Sequence, residues 1–230
     1  VIERVVAIDL DFSMGDIAAY LDMQPNQSIH DLLRNVDRID ERMLAGSVVV
    51  HPSKVHVLPQ PTELVDSEEL RGEDIMGIVT VASEAYQYVM VDCGTRIDEA
   101  TLMATSVADR VLLVTTPDVV AVRNAWRRLQ LLDRLGIDRS SIRLVVNKWG
   151  RTNELKLPDI ETNLGINVAA TIANDLPACQ RAVNQGQLLR DVAGRSPTYR
   201  DLVAAVELIT EGVNQVEQAQ TTSSFWRIFR

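Results

Sequence analysis

At 230 residues and 46% apolar content, the chain can bury the core of one large α/β domain, and with 4% aromatics that core is built of Val, Leu, Ile and Ala. A net charge of -9 argues against a protein that grips nucleic acid mainly by electrostatics, which needs a basic face. Two cysteines, Cys93 and Cys179, are too few and too far apart for a disulfide framework or a zinc site and read as reduced cytosolic thiols, while no apolar run approaches the ~20 residues of a spanning helix.

In chain order, Arg4 to Asp9 is β-branched and without alternation, which predicts a buried parallel strand. Val1 leads almost directly into it, so no signal peptide is read. The chain begins without Met and in mid-pattern, as a fragment would. A short helix follows at Asp16 to Leu21, then a break at Gln24-Pro-Asn-Gln. Ser28 is placed to cap a helix carrying Ile29, Leu32, Leu33 and Val36, and Asp40 to Ser47 forms the next. Lys54 to Leu58 reads as a strand stopped by Pro59 and Pro61. A long helix runs from Ser67 or Glu68 to Ala85, with Leu70, Ile75, Ile78, Val79 and Ala82 at helical spacing. Strand and helix then alternate: a strand at Tyr88 to Val91, a helix from Asp98, a strand at Arg110 to Thr115, and a helix from Val119 to Leu135 that Gly136 ends. Next come a strand at Ile142 to Val146, a helix at Leu157 to Leu164, a strand at Asn167 to Ile172 and a helix at Asp175 to Gln185. The last helix opens at Ser196-Pro197 and runs to about Val216. This alternation predicts an α/β fold, a mostly parallel sheet with helices on both faces, in one domain over residues 1–217. Residues 218–230 are a polar spacer and a short tail.

Chemistry concentrates at strand ends. Asp9 and Asp11 close the first strand, and carboxylates there can hold a hydrated Mg²⁺ or orient a water. Asp92 ends another apolar run and is followed by Gly94. An apolar run closed by Asp is the Walker-B pattern, and a Gly lets a backbone N–H approach a terminal phosphate. The third part of such a site, G-x-x-x-x-G-K-[ST], is not found. Gly72 to Gly77 has the glycine spacing, but Ile78 and Val79 follow it and the stretch sits in a helical pattern.

From Val5 to about Gly212 the chain resembles the MinD/ParA-type P-loop ATPases. The resemblance is carried by Ile8 to Leu21, Ser28 to Leu33, Val57-Leu-Pro-Gln-Pro61, Tyr88 to Gly94, Val114-Thr-Thr-Pro117, Val145-Val-Asn147 and Ile172-Ala-Asn-Asp175. The Gly15 to Leu21 stretch and Val36-Asp-Arg-Ile-Asp40 favour the CpaE/TadZ branch, tied to type IV or Flp (Tad) pilus assembly. The resemblance implies ATP and Mg²⁺ as cofactors and roles at matching positions. Asp11 would orient the attacking water, Asp9 would stand in the Mg²⁺ hydration shell, and Asp92 would be the Walker-B aspartate. Gly94 would lie near the γ-phosphate, Asn147 would contact adenine, and Asn174 and Asp175 would flank the base. Family members often carry Pro where Ala173 stands, which leaves that base contact in question. The first strand of the family, with its phosphate loop, would precede Val1.

The resemblance further implies an ATP-dependent homodimer in the cytoplasm that places pilus or secretion machinery at a pole or membrane. The tail residues Phe225, Trp226, Ile228 and Phe229 suit a peripheral contact with membrane or a partner, as MinD-type tails do. A non-hydrolysing scaffold of the same fold and a chromosome-partition ATPase remain as alternatives. Arg123, Arg127, Arg128 and Arg134 form the basic stripe that the partition reading would use for DNA, and they read better as a solvated helix face. Trp126 and Trp149 read as packing residues.

Overall fold

The computed structural model describes residues 4–34, 38–61 and 72–210. The chain divides into two compact units, Val1–Asp109 with Pro177–Val192, and Arg110–Leu176 with Ala193–Arg230. The first contains β1 (Val5–Asp9), α1 (Ile17–Tyr20), α2 (Ile29–Leu33), α3 (Glu41–Ser47), β2 (Val49–Val50), β3 (His56–Leu58), α4 (Gly72–Ala85), β4 (Tyr88–Asp92) and α5 (Glu99–Val107). The second holds β5 (Val111–Thr115), α6 (Val119–Arg134), β6 (Ile142–Trp149), α7 (Leu157–Leu164) and β7 (Val168–Ala173). The chain then passes through α8 (Leu176–Asn184) and α9 (Leu189–Ala193), mostly in the first unit, before α10 (Pro197–Thr210) in the second.

In the first unit the sheet order is β2-β3-β1-β4. β1 is central and runs parallel to β3 on one side and β4 on the other. Val6, Ile8 and Leu10 are fully buried against Ile29 and Leu32 of α2, Leu44 of α3, and Ile75, Ile78 and Ala82 of α4. Val5 and Ala7, pointing the other way, are only half-buried, so β1 is covered more completely on one face than on the other. Side chains that catch backbone N–H groups set the helix starts. Asp31 accepts from Ser28 N at 2.7 Å, Asp40 from Met43 N at 2.8 Å and Asp98 from Thr101 N at 2.9 Å. Each such cap is worth about 1 kcal/mol.

In the second unit β5, β6 and β7 form a parallel sheet in that order. Leu144 and Val146 of β6 pack on Val122, Ala125, Leu129 and Leu132 of α6 and on Ile160 and Leu164 of α7. Val145, on the opposite face, packs with Ile172 of β7 and Ala205 of α10. This sheet therefore carries helices on both faces, and the α/β class with mostly parallel pairing is observed.

Several details differ from the sequence reading. β2 was not expected, because two residues are too short to show alternation; it pairs antiparallel with β3. α9 was also missed. β6 continues to Trp149, so Asn147 lies inside a strand and not at its end. Trp149 packs against the core as expected, whereas Trp126 is 47% exposed on the same side of α6 as the exposed Arg123 and Arg127. The predicted N-terminal turn of α4, Val36, and residues 211–230 with the tail Phe225, Trp226, Ile228 and Phe229 lie outside the described residues.

Among the described residues β4 and β5 are each the terminal strand of their own sheet. Both are apolar and parallel to their one neighbour, and they expose Met90 (60%), Leu112 (43%) and Val114 (56%). Parallel strands are ordinarily paired and covered.

Truncating the fully buried Leu144 to Ala should cost about 3 kcal/mol in urea unfolding. Leu112→Ala, on the exposed side of β5, should cost less than about 1 kcal/mol. Equal losses would contradict this account of the core.

Candidate functional site

The β1–β4 register sets Asp9 directly opposite Asp92, and Leu10 N donates to Asp92 O at 2.8 Å to extend the ladder by one bond. The chain then turns at Phe12–Met14, and the two neighbouring carboxylates part company. Asp9 is 1% exposed. Its Oδ1 accepts from Asp11 N at 3.1 Å and its Oδ2 from Ile17 N at 3.2 Å, so it holds the loop closed on both sides of the turn. Gln60, itself buried, donates from Nε2 to Asp9 O at 2.7 Å. Gly15 passes so close that a Cβ there would stand 2.3 Å from Gln60 Cγ and 2.8 Å from both Asp9 carboxylate oxygens. Burial pushes the Asp9 carboxyl above the usual range; the two backbone N–H bonds oppose this, and the nearby Asp92 and Asp11 charges reinforce it.

Asp11 is half-buried, and its Oδ1 accepts from Ser13 N at 3.0 Å and Met14 N at 3.2 Å. Gly94 presses against its other oxygen. Gly94 has φ +59°, and a Cβ would lie 2.4 Å from Asp11 Oδ2, so the site requires glycine for both conformation and space. Asp92 is exposed, and its Oδ1 accepts from Gly94 N at 2.9 Å. Asp11, Asp92 and Gly94 are thus one contiguous cluster on the loops that follow β1 and β4. Between them, Cys93 is held as a thiol by burial, with the Asp92 and Asp98 charges adding to the effect, and its pKa rises to about 11.

The remaining expected residues lie in the second unit, Asn147 within β6 and Asn174 and Asp175 just past the carboxyl end of β7. Asn147 turns its Oδ1 back to accept from Lys148 N at 2.8 Å, where the β6–β7 register is irregular. Asn174 N donates to Trp149 O at 2.9 Å, and its side chain is exposed beside the half-buried Asp175. Ala173 N donates to Asp201 Oδ2 at 2.9 Å, a bond that Pro could not make.

Gly72 to Gly77 lies wholly within α4, which removes it as a phosphate loop. Among the described residues no group of three or more His, Cys, Asp or Glu is placed to enclose a metal ion. Mg²⁺ does not need such a cage, since it binds through one or two carboxylates, waters and substrate phosphates. Asp92, with one oxygen accepting no hydrogen bond among the described residues, fits that mode. Asp9, with both oxygens engaged by backbone N–H groups, fits an indirect role. Sequence reasoning gave no role to Gln60 or Arg96. The signal for the second is an Arg four residues past the strand-ending Asp92, and Arg96 Nη1 donates to Ser13 Oγ at 2.9 Å.

No protein-family model matches the chain. Septum site-determining protein MinD of Bacillus subtilis is 27% identical over 218 residues, spanning 89% of this chain and 78% of the relative. Among solved structures, a ParA family ATPase from Chlorobium tepidum superposes with a TM-score of 0.83 at 24% identity, covering 90% of this chain and 87% of the other. MinD from Pyrococcus horikoshii, solved with Mg-ADP, gives 0.77 at 16% identity over 94% and 86% of the two chains. The fold is that of the MinD/ParA-type proteins.

The Asp9 pKa carries a sign that can be checked. A raised native value means that the folded state holds this proton more tightly than the unfolded chain. The stability that Asp9 contributes is then fully present below its unfolded pKa and is lost as pH rises through the native value. A carbon-detected NMR titration should place the Asp9 midpoint above that of a solvent-exposed Asp; a midpoint at or below it would refute the burial argument.

Proposed function

We propose that the chain is the body of a MinD/ParA-type ATPase, a nucleotide-dependent positioning factor that serves type IV or Flp (Tad) pilus or secretion machinery. The observation that carries this reading is the β1–β4 pairing, which sets Asp9 opposite Asp92 and gathers Asp11, Asp92 and Gly94 at one strand-end rim. Likeness to MinD and ParA proteins supports the ATPase class, and the Gly15 to Leu21 and Val36 to Asp40 stretches support the pilus branch.

The residues divide the work. Bound Mg²⁺ would neutralise charge on the phosphates during transfer. Asp92 would hold that ion directly or through water. Asp11 would orient the attacking water, with its Oδ1 pinned by the Ser13 and Met14 N–H groups so that Oδ2 faces the Gly94 backbone. Asp9 would fix the turn on which Asp11 rides. The resemblance alone supports Asn147, Asn174 and Asp175 as contacts to the base. The phosphate-cradling loop would be carried on a further parallel strand; among the described residues β4 pairs only with β1, and its other edge would suit such a strand. ATP would stabilise a homodimer and hydrolysis would release it.

A non-hydrolysing scaffold is the second reading, favoured by the extent to which backbone N–H groups occupy the Asp9 and Asp11 oxygens. One experiment separates the two. In the intact protein, Asp92→Ala and Asp11→Ala should each lower the Mg²⁺-dependent kcat roughly 100-fold. An Asp92→Ala protein that turns over ATP at the wild-type rate would sink the site assignment, and a wild type that binds ATP without turnover would establish the scaffold. Size measurement with and without ATP should show a dimer only with nucleotide.

A further inference from the structure

The loops that leave the carboxyl ends of β1, β3 and β4 span residues 10–16, 59–61 and 93–98, and among the described residues Arg96 is their one cationic side chain. The same loops carry Asp11, Asp16 and Asp98 and follow the strand-ending Asp9 and Asp92, yet Arg96 is in ion-pair contact with none of these carboxylates. Its position is fixed at both ends. Thr101 Oγ1, on α5, donates to Arg96 O at 3.1 Å, and Arg96 Nη1 donates to Ser13 Oγ at 2.9 Å. Ser13 N in turn donates to Asp11 Oδ1 at 3.0 Å. The guanidinium is therefore one residue removed from the carboxylate assigned to the attacking water, on the loop that also carries Asp92 and Gly94.

A guanidinium has five N–H donors in a planar fork that matches phosphate oxygens. Among the described residues only one donor is engaged, and its acceptor is a neutral hydroxyl, a weaker partner than an anionic oxygen. Carboxylates on a rim supply the metal side of a phosphoryl-transfer site, and an arginine reaching the terminal phosphate adds to the charge stabilisation that the metal gives. We propose that Arg96 binds the terminal phosphate of a nucleoside triphosphate, a role that rests on the ATPase reading above. Its guanidinium exchanges the Ser13 hydroxyl for a phosphate oxygen and so reports the triphosphate state to the Asp11 turn. A diphosphate lacks the group that Arg96 reaches.

The test measures equilibrium binding of a non-hydrolysable ATP analogue and of ADP, each with Mg²⁺, to the intact wild type, Arg96→Ala and Arg96→Lys proteins. Thermal midpoints without nucleotide serve as the folding control. Arg96→Ala should weaken the triphosphate about tenfold and leave ADP within about twofold, at an unchanged midpoint. Arg96→Lys, which keeps the charge and loses the fork, should fall between. Equal loss for both nucleotides, or no loss for either, overturns the assignment while leaving the ATPase reading in place. Should Arg96→Ala lower the thermal midpoint, Arg96→Lys decides by the same comparison. A wild type that binds neither nucleotide overturns the ATPase reading and this role with it.

Discussion

Everything at the candidate site depends on one strand pairing. β1 and β4 run parallel with Asp9 opposite Asp92, and the ladder continues to Leu10. Parallel pairing in this register forces carboxylates from distant parts of the sequence to the same rim. Like charges at this spacing would push the strands apart, and the backbone supplies the remedy. N–H groups of Asp11, Ile17, Ser13, Met14 and Gly94 all point at carboxylate oxygens. The rim tolerates its negative charge because the turns that follow the strands are wound as N–H donors.

The fold class was legible because its signals are local. β-branched runs, Ser28 as a cap and Gly136 as a stop each act within a few residues, and the structure uses all of them. The carboxylates were legible for the same reason: an Asp that ends a buried strand must emerge at its carboxyl end. What was not legible is long-range. Gln60 meets Asp9 across 51 positions and Arg96 meets Ser13 across 83, and neither pattern can be read from neighbours. β2 was invisible because its pairing with β3, and not its two-residue sequence, makes it a strand. Asn147 was placed at a strand end because the polar Asn-Lys pair breaks the apolar pattern, whereas β6 absorbs the break as a register irregularity and goes on to Trp149.

The exposed apolar side chains also follow a rule. On α6, Val122, Ala125, Leu129 and Leu132 face the core, and the opposite side mixes Val119, Val120 and Trp126 with Arg123 and Arg127. On β4 and β5, exposure falls where a sheet ends. The helix surface is an amphipathic boundary, which water accepts. The strand edges are rows of backbone donors and acceptors that are costly to leave unpaired, so the two kinds of exposure carry different structural meanings.

Cys93 stands between Asp92 and Gly94, in the middle of the cluster, and is held as a thiol with a pKa of about 11. Only the thiolate attacks peroxides, disulfides and alkylating reagents. At neutral pH this sulfur is therefore chemically quiet. The burial and negative charge that surround the Asp11–Asp92–Gly94 cluster also keep its cysteine in the protonated, weakly nucleophilic form.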